Sequence, residues 1–222
     1  MSAAAQKAYL YLKNQILNGD VPAGEHVSEA EIAISAGVSR TPVREAIRRL
    51  SSEGLLLRRP HLGAVVPKWS QEELEDVFSL RALLESKAAE RAASRISLKE
   101  LDHLASLAEE MLYGVTPLTD VDQLDEGRTK FGELNGQFHA IIVAAAQSIR
   151  LSTMLEHVIH IPLSVRTILR YDKADLIRSA GHHIELVSAF RARDGAWAAS
   201  VMRSHILAAW HAISRESTKP TV

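Results

Sequence analysis

The sequence predicts a mainly α-helical protein of two domains, and three observations support this prediction. The chain has 222 residues, whereas a single domain typically has roughly 100 to 150. Hydrophobic residues make up 46% and charged residues 24%, as in an ordinary globular protein. Apolar residues recur at helical spacing along most of the chain, and strand-like segments are confined to residues 55–66. We therefore place the first domain at residues 1–68.

The composition excludes several kinds of site. The chain has no cysteine, which rules out disulfides, cysteine-ligated zinc, a thiol nucleophile and an iron–sulfur cluster. Ten histidines remain as candidate metal ligands. No secretory signal is visible, and the longest uncharged apolar stretch is much shorter than the roughly 20 residues of a membrane helix. We therefore expect a cytoplasmic protein.

Charge is divided unevenly along the chain. Residues 1–68 carry a net charge of +3, and the rest of the chain carries −4. A basic first third on an acidic remainder is expected when a small nucleic-acid-binding domain is joined to a sensing or oligomerising domain.

The first domain begins with two predicted helices. A helix over about residues 4–18 is predicted from apolar residues at helical spacing, namely Tyr9, Leu12 and Ile16. Turn-forming residues end it at 18–24. A second, short helix starts at Ser28, which forms a capping-box pattern with Glu31.

The third helix follows after a break of a few residues and has two distinct faces. Ser39 can cap it, and Pro42 is tolerated in its first turn. Its apolar face consists of Val43, Ile47 and Leu50. Its cationic face consists of Arg40, Arg44 and Arg48. A basic helix face is often exposed to solvent without binding anything. The arginine stripe alone therefore does not indicate DNA binding, and the neighbouring elements have to be considered.

A hairpin follows the third helix. Residues 55–59 and 64–66 are strand-like, and His61 and Gly63 lie in the turn between them. Three helices and a hairpin form a winged helix-turn-helix, in which the third helix enters the major groove and the wing lies along the adjacent backbone or minor groove. Arginine suits this role because its planar fork binds guanine or phosphate in a bidentate manner.

Residues 69–216 are predicted to form an all-α domain of about six helices. We place these helices at about 70–94, 97–112, 120–147, 149–169, 173–192 and 194–216. Residues 217–222 are expected to be a flexible tail.

Three histidines on different predicted helices face inward: His139, His183 and His205. From spacing alone, separate hydrogen-bonded core histidines are favoured over a shared metal, because no compact motif frames them. Three histidines and an open position also describe a catalytic zinc site, so a small metalloenzyme is the alternative function. The chain lacks the H-E-x-x-H motif and offers no residue that we can assign as a general base.

The segment ILNGDVPAGEHVSEAEIAISAGVSRTPVREAIRRLSSEGLL resembles the signature of the GntR family of bacterial transcription regulators. The segments LRALLE, NGQFH, HHIELVSAFRARD and VMRSHI are similar to the FadR-like subfamily, whose helical effector domain is called FCD. The resemblance implies a homodimer that binds a pseudo-palindromic DNA operator. It also implies that Arg40, Thr41, Arg44 and the wing around His61 and Gly63 touch DNA, and Arg48 completes the stripe. Ala30 stands where some members carry a DNA-contacting arginine.

The same resemblance implies a divalent metal, with zinc or nickel favoured. Many FCD domains bind one through an aspartate and three histidines, and the matching positions here are Asn135, His139, His183 and His205. Asn135 departs from the pattern because it supplies a neutral amide oxygen. The ion would keep more of its charge and favour an anionic ligand.

Two arginines are candidates for binding that ligand. Arg81 and Glu85 are one turn apart, so one interpretation is a surface i,i+4 pair. By resemblance to the Arg-x-x-Leu-Glu segment of FCD domains, Arg81 instead binds an effector carboxylate. Arg166 is a weaker candidate. The sequence thus predicts a non-enzymatic, DNA-binding transcription regulator whose operator affinity responds to a small organic acid bound near a metal.

Overall fold

The computed structural model describes residues 2–52, 55–59, 63–68, 70–158, 168 and 170–215. Over these residues, nine helices and two short strands form two compact units, the first ending at Ser70 and the second beginning at Gln71. None of the described helices is long and apolar enough to cross a membrane. The predicted mainly helical fold is confirmed.

The first unit contains three helices, α1 (Ala3–Asn18), α2 (Glu29–Ala36) and α3 (Arg40–Ser52). The hydroxyl of Ser28 accepts a hydrogen bond from the backbone N–H of Glu31 and so caps α2, as predicted. Gly37 ends α2 in the left-handed conformation, with φ of 61°, which a residue without Cβ adopts at little cost. The short break that follows positions α3 as the second helix of a helix-turn-helix.

Two strands form the wing, β1 (Leu57–Arg59) and β2 (Gly63–Val65), which pair antiparallel. The loop after α1 holds the other edge of β2. The N–H of Val27 bonds to the carbonyl of Ala64 at 2.8 Å, and the N–H of Gly24 bonds to the carbonyl of Val66 at 2.8 Å. The wing is therefore hydrogen-bonded to the loop between α1 and α2.

One apolar core joins the helices of the first unit to the wing. Its largest members are Tyr9, Leu12, Ile16, Val27, Ile32, Val43, Ile47, Leu50, Leu55, Leu56 and Val66. The predicted apolar face of α3 is thus buried, which turns its cationic face outward.

The second unit is helical throughout its described part. Its members are α4 (Gln71–Arg95), α5 (Leu98–Val115), α6 (Val121–Ala145), α7 (Ile149–Val158), α8 (Lys173–Arg191) and α9 (Gly195–Ser214). α4 is central and packs against α6, α7, α8 and α9. The helix predicted at 149–169 is described only as far as Val158, and the predicted tail lies outside the described residues.

Small residues allow α4 and α9 to approach each other closely. Both helices bury alanines, including Ala88 and Ala92 on α4 and Ala198 and Ala209 on α9. At the start of α9, a Cβ added to Gly195 would lie 2.8 Å from the carbonyl oxygen of Glu90. This close packing places the inner faces of α4, α6, α8 and α9 around a common centre.

Candidate DNA-binding face and metal centre

The outward face of α3 carries the predicted DNA-contacting side chains. Arg40, Thr41, Arg44 and Arg48 are all exposed on this helix. Their exposure follows from the burial of the opposite face of α3. One face of this helix therefore packs into the core of the first unit, and the other presents a cationic stripe to solvent. This is the arrangement with which a recognition helix can enter a DNA groove.

Arg44 is not a free side chain. Its Nε donates to Oε2 of Glu29 on α2 at 2.7 Å, and the two side chains are 61% and 38% exposed. With Nε engaged, the two terminal amino groups of the guanidinium remain as a fork for a base edge or a phosphate. Sequence reasoning missed Glu29 as the partner of Arg44, because the two residues are 15 positions apart and lie on different helices.

The wing residue Gly63 lies at the start of β2 with φ of 73°. A Cβ at this position would stand 2.9 Å from Nε2 of His26, so both the backbone conformation and the space favour glycine. Gly63 is exposed beside β1, where Arg58 and Arg59 are exposed as well. The other predicted wing residue, His61, lies outside the described residues.

Three histidines converge in the second unit. His139 lies on α6, His183 on α8 and His205 on α9, and one nitrogen from each lies within 4.8 Å of the other two. Nε2 of His139 and Nε2 of His205 are 3.2 Å apart. The prediction that these three side chains face inward is confirmed, since His183 and His205 are buried and His139 is nearly so.

The surroundings of the two buried histidines of this cluster, His183 and His205, favour neutral imidazoles. Burial, reinforced by the neighbouring imidazoles, holds the pKa of His183 and of His205 well below the ordinary histidine value. Phe138 packs against His183 with ring centroids 4.5 Å apart. Among the described residues, neither ring nitrogen of His183 nor Nδ1 of His205 has a hydrogen-bond partner. Buried nitrogens of this kind are costly unless another group satisfies them.

A divalent cation fits this donor set. Two nitrogens bound to one ion at about 2.1 Å lie roughly 3.0 to 3.4 Å apart at octahedral or tetrahedral angles, and the 3.2 Å between His139 and His205 falls in that range. Neutral imidazoles with available lone pairs suit zinc and nickel. His183 would complete a three-histidine set, with the remaining coordination positions open.

Three further residues of the second unit bear on the site: two predicted positions, Asn135 and Arg166, and a neighbouring histidine, His182. Asn135 is half-buried one turn before His139 on α6, and its role as a ligand stays a prediction. His182, which precedes His183 on α8, lies beside the cluster, with its ring centroid 5.8 Å from that of His205. Arg166 lies outside the described residues.

Arg81 and Glu85 form the predicted i,i+4 pair, but the pair is not on the surface. Nε of Arg81 donates to Oε1 of Glu85 at 2.8 Å, and both residues are buried. The surface interpretation of this pair is therefore wrong, because α4 is surrounded by helices on the side that carries these two residues.

Glu85 also contacts the histidine cluster. Its Oε2 lies 2.6 Å from Nδ1 of His139. Burial opposes ionisation, but the charges of Arg81 and His139 and their hydrogen bonds outweigh burial and lower the pKa of Glu85 to about 2. The contact between Glu85 and His139 was missed at the level of sequence, where Glu85 was considered only as the partner of Arg81.

Comparison with known families and proteins agrees with both units. Residues 4–66 match the model described as "Bacterial regulatory proteins, gntR family", and residues 76–208 match the model of the FCD domain. The FCD match alone covers more than half of the chain and contains all three histidines of the cluster.

Individual proteins give the same result. The HTH-type transcriptional regulator YdhC of Bacillus subtilis is 31% identical over 150 residues, which are 68% of this chain and 64% of YdhC. The HTH-type transcriptional repressor RspR of Escherichia coli is 29% identical over 205 residues, which are 90% of this chain and 85% of RspR. The structural match to E. coli McbR/YncC covers 98% of this chain and 100% of the McbR/YncC chain, with a TM-score of 0.70. At 21% identity it shows a shared fold.

These families and relatives are transcription regulators rather than enzymes, which sets aside the metalloenzyme alternative. The winged helix-turn-helix with its exposed arginines is the DNA-binding part of such a regulator. The chain belongs to the GntR family of bacterial transcription regulators, in the branch that carries an FCD domain.

Proposed function

We propose that this regulator binds its operator as a homodimer and that a small organic acid, held near a divalent metal in the FCD domain, modulates its DNA affinity. As a DNA-binding regulator of a bacterium it would act in the cytoplasm. The observation that carries the proposal is the convergence of His139, His183 and His205, with buried nitrogens that no other described residue satisfies.

The metal would be held by the three histidines, with Asn135 as a fourth candidate. Four neutral ligands of this kind leave the double charge of the ion uncompensated at its first coordination sphere. Ligands of opposite charge are favoured in an apolar helical environment, where electrostatic attraction is stronger than in water. A small carboxylate in the open positions is therefore the effector class that the site favours.

Arg81 is the second element of the proposed effector site. Its guanidinium is buried and engages Glu85 through Nε, so its terminal amino groups are the part that remains for a carboxylate. A change of Arg81 to lysine keeps the charge beside Glu85 and removes the planar fork. We expect Arg81→Lys to retain operator and metal binding and to lose most of the effector response.

On DNA, two copies of α3 would contact successive major grooves of an imperfect palindrome, with the wings on the flanking backbone or minor groove. Arg40, Thr41, Arg44 and Arg48 would supply the contacts from the helix, and His61 and Gly63 those from the wing. The shift in DNA affinity that an effector can cause is limited to its differential affinity for the two states of the dimer, commonly about 1 to 3 kcal/mol.

A thermal-shift experiment tests the metal and effector together. Full-length protein is stripped with a chelator and dialysed, and its Tm is measured with Zn²⁺ or Ni²⁺ and a panel of small carboxylic acids, alone and combined. A ligand at about 100 times its Kd stabilises the native state by about 2.7 kcal/mol. We expect the metal to raise Tm and an acid to raise it further only when metal is present.

Two variants provide the controls. His183→Ala should lose the metal response, whereas His157→Ala, an exposed histidine on α7, should keep it. An equal metal response in His183→Ala and wild type would contradict the metal site. Light scattering of the protein, alone and with operator DNA selected from a random pool, tests the dimer, and a monomer on DNA would contradict that part of the proposal.

A further inference from the structure

Glu85 is bonded at both carboxylate oxygens. Oε1 accepts from Nε of Arg81 at 2.8 Å, and Oε2 lies 2.6 Å from Nδ1 of His139. The side chain of Glu85 is 2% exposed, so water does not compete for these contacts. The carboxylate thus makes one hydrogen bond within α4 and one short contact that joins α4 to α6 in the interior of the unit.

This contact determines which nitrogen of His139 carries the proton. An ionised carboxylate can only accept, so the Nδ1 of His139 must be the N–H that donates to Glu85. Whenever the ring is neutral, its lone pair is then on Nε2, the atom that lies 3.2 Å from Nε2 of His205. In this form His139 presents its lone pair toward His205.

The position of Glu85 also shows that it is not itself a ligand of the cluster. Its carboxylate lies at the Nδ1 edge of His139, whereas His205 lies at the Nε2 edge, and Glu85 is not among the residues whose ligand atoms converge. A carboxylate that bonds to one nitrogen of a metal-binding imidazole orients the ring and makes the other nitrogen a stronger electron-pair donor to the metal.

We propose that Glu85 is the positioning residue of the histidine cluster: it holds His139 in the Nδ1–H tautomer, fixes the ring against α4 and thereby raises the affinity of the cluster for a divalent cation. The proposal rests on the metal site described under Proposed function. It assigns to Glu85 the part that neither Arg81 nor Asn135 can play, because these two side chains bring no negative charge to the Nδ1 edge of His139.

The first test measures metal affinity directly, without a DNA or effector readout. Zn²⁺ is titrated into metal-free, full-length protein in the presence of a competing chromophoric chelator. The proteins compared are wild type, Glu85→Gln, Glu90→Gln and His183→Ala. Glutamine keeps the size of the side chain but gives up its charge. Loss of such an outer-shell partner typically lowers metal affinity by about 10- to 100-fold, and we expect this loss for Glu85→Gln.

Glu90→Gln is the matched control, because Glu90 lies on the same helix and pairs with Lys87 on the surface. It should bind Zn²⁺ as wild type does. Wild-type affinity in Glu85→Gln combined with loss in His183→Ala would overturn the role of Glu85 and leave the metal site intact. Absence of Zn²⁺ binding in the wild type would overturn both the proposed metal site and this inference.

A second measurement needs no variant and no metal. In metal-free wild type, long-range ¹H–¹⁵N NMR correlations of the histidine rings report the tautomer of each imidazole. We expect His139 to be protonated at Nδ1, with this proton shifted strongly downfield by the carboxylate. Protonation at Nε2 instead would overturn the proposal, even if the Glu85 variant failed to fold.

Discussion

Nε of Arg44 on the third helix lies 2.7 Å from Oε2 of Glu29 on the second helix. This ion pair joins the two helices of the helix-turn-helix and engages Arg44 through Nε, so that its two terminal amino groups stay outside the pair. Because both side chains are partly exposed, the pair contributes at most about 1 kcal/mol to stability. Its larger effect is on the direction in which the guanidinium points.

The first prediction concerns the cationic face of α3. Arg40→Ala and Arg44→Ala should each lower operator affinity by about 1 to 3 kcal/mol if the side chain reads a base, or lower the salt slope by about one if it contacts a phosphate. Gel-shift titrations over a range of salt concentrations distinguish the two cases. Wild-type affinity in both variants would show that α3 is not the recognition helix.

The second prediction concerns the partner of Arg44. Glu29→Gln removes the charge that holds the guanidinium, so we expect the ratio of specific to non-specific DNA affinity to fall by up to about fivefold, the equivalent of an exposed pair. Glu31→Gln is the control, since it removes the same charge from an exposed position on the same helix. Competition binding with operator and random DNA measures the ratio. An equal ratio in the two variants would assign the effect to charge alone.

The third prediction concerns Asn135. Asn135→Asp should tighten Zn²⁺ binding if the amide oxygen is a ligand, because a carboxylate adds a compensating negative charge. The control is Gln137→Glu, which adds a charge at an exposed position on the same helix. Zn²⁺ competition with a chelator gives both affinities. The idea that Asn135 is a ligand fails if both variants bind as tightly as wild type.

The fourth prediction concerns the buried ion pair of α4. Arg81→Met should lower the free energy of unfolding by about 3 to 5 kcal/mol, because it leaves the charge of Glu85 buried without its cation. The double change Arg81→Met with Glu85→Gln should recover part of this loss, since glutamine carries no charge. Urea denaturation measures both. Lys87→Ala, which breaks an exposed pair on the same helix, should change stability by less than about 1 kcal/mol.

The fifth prediction compares two helical glycines. Gly195→Ala should lower stability by about 1 to 3 kcal/mol, because the new Cβ would lie 2.8 Å from the carbonyl oxygen of Glu90 and push α9 away from α4. Gly181→Ala meets nothing within 4 Å and should stabilise the protein by about 0.5 to 1 kcal/mol through helix propensity. Thermal unfolding gives the sign of each change, and a loss in both variants would contradict the packing argument.

Local patterns in the sequence determined the elements and their inner faces. The order of α1, α2, α3 and the hairpin follows from caps, turns and apolar spacing, each of which acts within a few residues of the chain. The inward direction of His139, His183 and His205 is likewise a property of each helix alone. The family resemblance then indicated that the three side chains meet, which spacing could not establish.

Only the tertiary structure decided which side chains of different helices pair. The spacing of Arg81 and Glu85 on one helix is compatible with any environment, so a surface pair is one of two interpretations. Their burial depends on how the other helices of the second unit surround α4. The contact of Glu85 with His139 and that of Glu29 with Arg44 join residues of different helices. A helical period determines the direction of a side chain, whereas the packing of neighbouring helices determines what that side chain meets.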